Sequence, residues 1–399
     1  MDRGLAQRVI FYTWVLALLF SSIIFAYDFG GFSRHAGLSI NGEALWGRDF
    51  ANVYSAGQLT LQHGLTQLYD IKAYQAWQSD WFGGGIKNHN YSYPPVTLLY
   101  TWVFALVPYG VALGLWLFGT GAAFYCAARP YLQRAGLSPW LAIASPATIG
   151  CIWAGHYGML LGALWLGAWH FLPRRPKLAG VLIGLMIIKP HLAILIPLVL
   201  LRRRAWVTIV TAAITVTGLI LASVIIFGPE LWRIYLTQTT AVQADMIGHA
   251  DTLYSVMMPT TAPALLRLGF SLSGALIIQA IVAVLSAAAL WRWLPADPYV
   301  ACFATAVATF LVLPYGFFYD MTIIGIAVII LLYQIQNDTP RWQMAIITLA
   351  CLLPVTIIII NHFRIPAGPI LMAGILTVLL RQPLFPEKNN PKKLTVADG

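Results

Sequence analysis

From residue 205 to residue 227 the chain carries no charged side chain, and a run of that length folds as a helix that crosses a bilayer. Comparable runs recur at about 8–27, 272–294, 298–314, 318–335, 342–360 and 366–381. Hydrophobic residues make up 59% of the sequence and charged residues 10%, a balance outside the range of soluble domains of this length. An all-α polytopic membrane protein with about 10–12 spanning helices of ~20 residues is therefore expected, as a single membrane domain over 1–385. The tail, 386–399, is polar and rich in lysine and proline, and reads as a disordered cytoplasmic extension.

The net charge of +10 could point to nucleic acid. The basic residues sit instead in short clusters at the ends of apolar runs, as in Arg174-Arg175, Arg202-Arg203-Arg204 and Lys392-Lys393. The positive-inside rule produces that pattern, so no nucleic-acid partner is expected. The same rule holds the amino terminus inside through Arg3 and Arg8, and the first run reads as a retained anchor rather than a cleaved signal. Cys126, Cys151, Cys302 and Cys351 lie in apolar stretches without metal-ligand spacing, so neither a metal site nor a cofactor is expected.

This topology turns the loop 28–93 outward. It holds five of the fourteen acids, Asp28, Glu43, Asp49, Asp70 and Asp80, and stretches near 50–62 and 71–82 mix polar and apolar residues as helices lying in the membrane interface do. Gly83-Gly84-Gly85 reads as a hinge. A second outward loop, 228–270, brings His249 and Asp251, and the turn 314–320 brings Tyr319 and Asp320 to the same side. Asp49, close to the membrane surface after the first span, is the leading candidate for a catalytic group.

The stretch 178–201 has basic clusters at both ends and Lys189-Pro190-His191 in its middle. One straight span would put one cluster outside, against the positive-inside tendency; two half-spans that dip in and return, the favoured arrangement of the two, would keep both clusters cytoplasmic and hold Lys189 deep in the membrane. An ammonium is costly there and is retained for a partner or a ligand, for instance a lipid-linked phosphate. Asp320 either binds a polar ligand or caps the following helix; His156 either meets a ligand or satisfies a turn.

Several of these segments, Arg48-Asp49-Phe50 with Tyr54 and Ala56-Gly57, Tyr69-Asp70, Tyr93-Pro94-Pro95, Gly155-x-x-Gly158, Lys189-Pro190 ahead of Arg202-Arg203-Arg204, and Pro314-Tyr315 with Tyr319-Asp320, together resemble the GT-C glycosyltransferases of family 87. The resemblance implies a GT-C-type helix bundle with a long first extracytoplasmic loop. It also implies transfer of a sugar, mannose by default and a pentose as the alternative, from a polyprenyl-phosphate donor to a glycolipid or glycan at the outer face of a bacterial-type plasma membrane. Carried over by position, Asp49 is the inverting enzyme's base, and Lys189, Arg48 and His191 belong to the donor phosphate. Tyr54, Tyr93, His156, His249, Tyr319 and Asp320 are the remaining substrate-binding candidates. Histidines stand in some members where this chain has Tyr319-Asp320, and glutamine is common at the position of His156, so the acceptor is not carried over. A transporter or flippase for a lipid-linked precursor, or a noncatalytic partner in envelope assembly, are the competing readings.

Overall fold

The computed structural model describes residues 12, 14–16, 19, 32–33, 39–40, 44–83, 90–239, 242, 247–248, 252–336, 338–381 and 384–385. Most of the first span, His249, Asp251 and the tail after 385 lie outside the described residues. What is described is a helix bundle, with one small antiparallel sheet of two-residue strands, 32–33, 39–40 and 44–45, in the first loop.

Among the described residues, four helices are long and apolar enough to cross a membrane: Tyr109–Arg134, Trp206–Phe227, Leu272–Arg292 and Arg341–His362. Each starts or stops where the sequence supplies a reason. Pro108 precedes the first, Gly228 at φ 84° ends the second, and the Ser271 hydroxyl accepts the Gly274 N–H at the start of the third. Trp206–Phe227 buries only Thr208 and Ser223, as expected of a helix whose solvent is lipid.

Six shorter helical stretches come as three pairs. Pro146–Ala154 turns into Gly158–Phe171, Pro298–Val312 leads through Phe318–Asp320 into Thr322–Tyr333, and Pro176–Leu185 continues as Met186–Ile188 before Lys189. At Lys189 the backbone leaves the helix (φ −147°, ψ 69°), because Pro190 disfavours helical geometry in the residue before it. The chain resumes as Pro190–Ala193 and Ile196–Arg202.

The direction of the third pair is fixed by its neighbour. Gly180 packs on Thr208 and Thr211, Gly184 on Ala212 and Thr215, and the Thr208 hydroxyl donates to the Pro176 carbonyl at 3.0 Å. Partners that advance together mean that Pro176–Leu185 and Trp206–Phe227 run parallel. The segment between them therefore returns to the level from which it began, which is the dip-and-return expected for 178–201.

All three pairs open toward the same basic end. There Arg134 pairs with Asp297 at 2.5 Å, Arg203 donates to the Pro295 carbonyl at 2.7 Å, and His170 Nδ1 lies 2.6 Å from the Tyr299 hydroxyl. Their turns lie at the other end, in contact with the first loop.

Within that loop, helices form at Phe50–Leu61 and Ile71–Phe82 as expected, but the first is far more enclosed than an interfacial helix. Ten of its twelve residues are buried. Its polar side chains are paired inside the protein: Asn52 accepts from the Tyr74 hydroxyl at 2.9 Å, Ser55 from Gln78 at 3.1 Å, and Gln58 donates to the Ala105 carbonyl at 3.0 Å. Such pairing removes the penalty of burying an amide or hydroxyl. Gly83, at φ 71°, caps the second helix, and residues 84 and 85 lie outside the described set.

Candidate active site

The turns of the three short pairs each deliver one polar residue to a single point: His156 from 154–158, Lys189 from its helix break, and Asp320 from 318–320. Two glycines make the approach possible. A Cβ at Gly155 would fall on the Gly47 carbonyl, and one at Gly158 on the carbonyl of Tyr319. Gly155 also sits at φ 63°, where a side chain is strained. The Gly155-x-x-Gly158 spacing thus marks close backbone packing rather than a ligand loop.

Lys189 Nζ lies 2.6 and 2.8 Å from the Asp320 carboxylate oxygens and 3.3 Å from His156 Nε2. His156 Nδ1 faces Asp320 Oδ1 at 3.5 Å, its Nε2 lies 3.1 Å from the Tyr93 hydroxyl, and its ring packs on Tyr319 with centroids 4.1 Å apart. Lys189 and Asp320 are 7% and 4% exposed, so this ion pair is buried, and such a pair persists only with close geometry and further hydrogen bonds. Lys189 does not snorkel. Asp320 is neither a helix cap nor part of the cavity wall; it lies beneath Lys189 and His156 and holds both.

Asp49 arrives from another direction. It stands at the amino end of Phe50–Leu61, its N–H bonded to the Ala154 carbonyl at 2.9 Å, which ties it to the turn that bears His156. Its carboxylate makes no capping bond to that helix, and it is half-buried on the wall of a cavity of about 620 Å³. Withdrawal from water pushes the carboxyl up to about 7, against the attraction of Lys189 and Arg48 and with repulsion from Asp320 added. Titratable groups with such shifts concentrate at functional sites.

The same cavity is lined by Tyr93, His156, Lys189, His191 and Tyr319, by Tyr315 of the Pro314-Tyr315 segment, and by residues that the sequence did not single out. Asn52, Asn90 and Ser92 come from the first loop, Tyr235, Thr252 and Tyr254 from the second, and Phe317 from the turn before Asp320. The only signal of these last was position in the outward segments. Aromatic faces beside amides and hydroxyls suit a sugar, whose C–H faces are apolar and whose hydroxyls need partners.

Two candidates sit elsewhere. The Arg48 guanidinium stacks over Trp153, 4.1 Å from the ring centroid, and Arg48 is not among the cavity residues. Tyr54 donates to the Val107 carbonyl at 3.2 Å and packs against Tyr109 and Phe82, a structural role in the loop core. Among the described residues there is no cluster of side chains that could hold a metal ion.

A sunken cavity with an unspent carboxylate, in a bundle whose long helices are apolar enough to span a bilayer, defines a membrane protein with its polar chemistry inside the helix assembly. A model of glycosyltransferase family 87 matches residues 91–314, more than half of the chain, and the protein belongs to that family; it is a glycosyltransferase. The matched region contains Tyr93, His156, Lys189 and His191, whereas Asp49, Tyr319 and Asp320 lie outside it. No curated protein and no solved structure matches the chain.

Proposed function

We propose that the protein moves a sugar from a polyprenyl-phosphate donor to a hydroxyl of a glycolipid or glycan, with inversion, at the outer face of a bacterial-type plasma membrane. The observation that carries this reading is the Asp49 carboxylate, uncapped and facing the aromatic cavity beside Lys189. In the reaction, the acceptor oxygen attacks the anomeric carbon while its proton passes to Asp49. The bond from that carbon to the phosphate oxygen breaks, and its electron pair leaves with the polyprenyl phosphate. Asp49 thus serves as general base.

Lys189 supplies positive charge where the phosphate gains negative charge. The two Asp320 oxygens subtend a narrower angle at Nζ than two ammonium N–H bonds span, so one N–H serves both. Of the three N–H groups of a lysine, a second then reaches His156 and the third is left for the cavity. Placing the arginine-rich end of the bundle in the cytoplasm puts the cavity on the outer side, where nucleotide donors are not expected. Mannose is the default sugar, with a pentose as the alternative. Family membership favours transfer over transport of the lipid-linked sugar.

The test is transfer by the purified protein from a panel of synthetic polyprenyl-phosphate sugars, each offered with glycolipid acceptors. One donor is expected to give product of inverted anomeric configuration, whereas transfer from a nucleotide sugar alone would refute the donor class. The pH dependence provides a second check. The base must be ionised, and burial holds Asp49 protonated up to about pH 7. Below that value, kcat/KM is expected to fall tenfold per pH unit and above it to level off. A limb centred near pH 4 would mean that the base is a solvated carboxylate elsewhere.

A further inference from the structure

His156 Nε2 is approached by two donors, Lys189 Nζ at 3.3 Å and the Tyr93 hydroxyl at 3.1 Å. An ammonium can only donate, so Nε2 carries no proton in its bond to Lys189. In the neutral ring that proton is on Nδ1, the nitrogen that faces the Asp320 carboxylate at 3.5 Å. Nδ1 has no hydrogen-bond partner among the described residues, but the Asp320 carboxylate faces it and favours the proton on that side electrostatically. A neutral imidazole has one lone pair at Nε2, and both donors cannot use it fully.

We propose that the Nε2 lone pair of His156 passes from Lys189 to the Tyr93 hydroxyl as the donor phosphate binds, releasing a second Lys189 N–H toward the phosphate. Tyr93 and His156 are then positioning residues that act through Lys189. This rests on the glycosyltransferase reading above and adds a role to it. Three features of the geometry fit the exchange. Tyr93, His156 and Lys189 all line the cavity, so all lie within reach of one ligand. Asp320 meets Lys189 through both carboxylate oxygens, at 2.6 and 2.8 Å, so the ammonium stays ion-paired when it loses His156 as an acceptor. Tyr93 follows a short approach in the chain from Asn90, and its ring is fixed by Tyr91 and Tyr157, with centroids 5.5 and 4.6 Å away, so its hydroxyl is in place to take over the lone pair without a rearrangement.

The discriminating measurement is inhibition by the sugar-free polyprenyl monophosphate, alongside KM for donor and acceptor. Tyr93→Phe is expected to raise the inhibitor's Ki and the donor KM about fivefold, the scale of one hydrogen bond, with acceptor KM changed less than twofold. In a His156→Leu background the same Tyr93→Phe change is expected to add less than twofold. His156→Gln, whose amide oxygen can accept at the Nε2 position, is expected to keep the wild-type Ki. An unchanged Ki in Tyr93→Phe, a shift in acceptor KM instead, or a full Tyr93→Phe effect without His156 would overturn the exchange. Should His156→Leu not fold, a tenfold rise of Ki in His156→Gln would overturn it equally. Wild-type protein that neither transfers sugar nor binds the monophosphate would refute the proposed function itself, whereas normal transfer with an indifferent Tyr93→Phe would refute this inference alone.

Discussion

Asp49→Asn is expected to lower the rate of sugar transfer by about a hundredfold or more, the low end for loss of a general base, while the protein remains folded. The substitution is near-isosteric, and the Asp49 carboxylate makes no capping bond that it would remove. The sign of its effect on stability follows from the titration. A carboxyl held protonated up to about 7 in the folded protein and ionised from about 4 in the unfolded one favours the folded state less as pH rises between those values. Above pH 7 the full cost of the buried charge is present. The neutral amide escapes that cost, so the variant's melting temperature at pH 8 is expected to equal or exceed that of the wild type. A variant that melts normally and transfers at the wild-type rate would mean that the base lies elsewhere. Asp320 would be a poor substitute, since Lys189 occupies both of its oxygens.

The second large effect is at Lys189. Lys189→Met leaves Asp320 buried without its cation, a change that typically costs about 3–5 kcal/mol, and it removes the cavity's ammonium. A marked loss of thermal stability in detergent is expected, with a rise in donor KM. Adding Asp320→Asn removes the stranded charge, so the double variant is expected to recover most of the stability but none of the donor affinity. Equal recovery of both would assign the pair to folding alone. Loss of neither in the single variant would show that the ion pair is dispensable.

These two residues also show how far the sequence could be read. For Asp49 the sequence showed a carboxylate at the start of an amphipathic stretch in the first loop, where a solvated or Arg48-paired side chain is the ordinary outcome; its place on the cavity wall near Lys189 was not legible. The break at Lys189 was legible because proline and a half-length apolar arm on each side leave a helix no way to continue. The spans 206–227, 272–292 and 341–362 were bounded within two residues, since charge-free runs end at Arg, Gly or Pro. The partnership of Lys189 with Asp320 was not legible. Those residues are 131 positions apart, and nothing local distinguishes Asp320 from a helix cap. Nor was the burial of Phe50–Leu61, where Asn52, Ser55 and Gln58 look like a water-facing stripe. Their partners, Tyr74, Gln78 and the Ala105 carbonyl, come from later in the chain, and hydropathy does not register a polar pair that satisfies itself. Most of the aromatic wall escaped notice for a related reason: Tyr235 and Tyr254 are typical of any membrane boundary.

The short helix pairs set the depth at which any reaction must occur. Gly158–Phe171 has 14 residues and Pro298–Val312 has 15, so they rise only about 21–23 Å from the basic end, against a hydrocarbon thickness of about 30 Å. With that end anchored at one surface, His156, Lys189 and Asp320 sit roughly 8 Å below the level of the opposite headgroups. On the proposed donor class, a lipid-borne phosphate would meet them without being lifted far from the membrane, whereas a hydrophilic acceptor would have to be lowered to them. The acceptor hydroxyl that reacts is then selected by reach: a sugar at the end of a slender, extended headgroup arrives, and one set close against a bulky or branched neighbour is stopped at the rim.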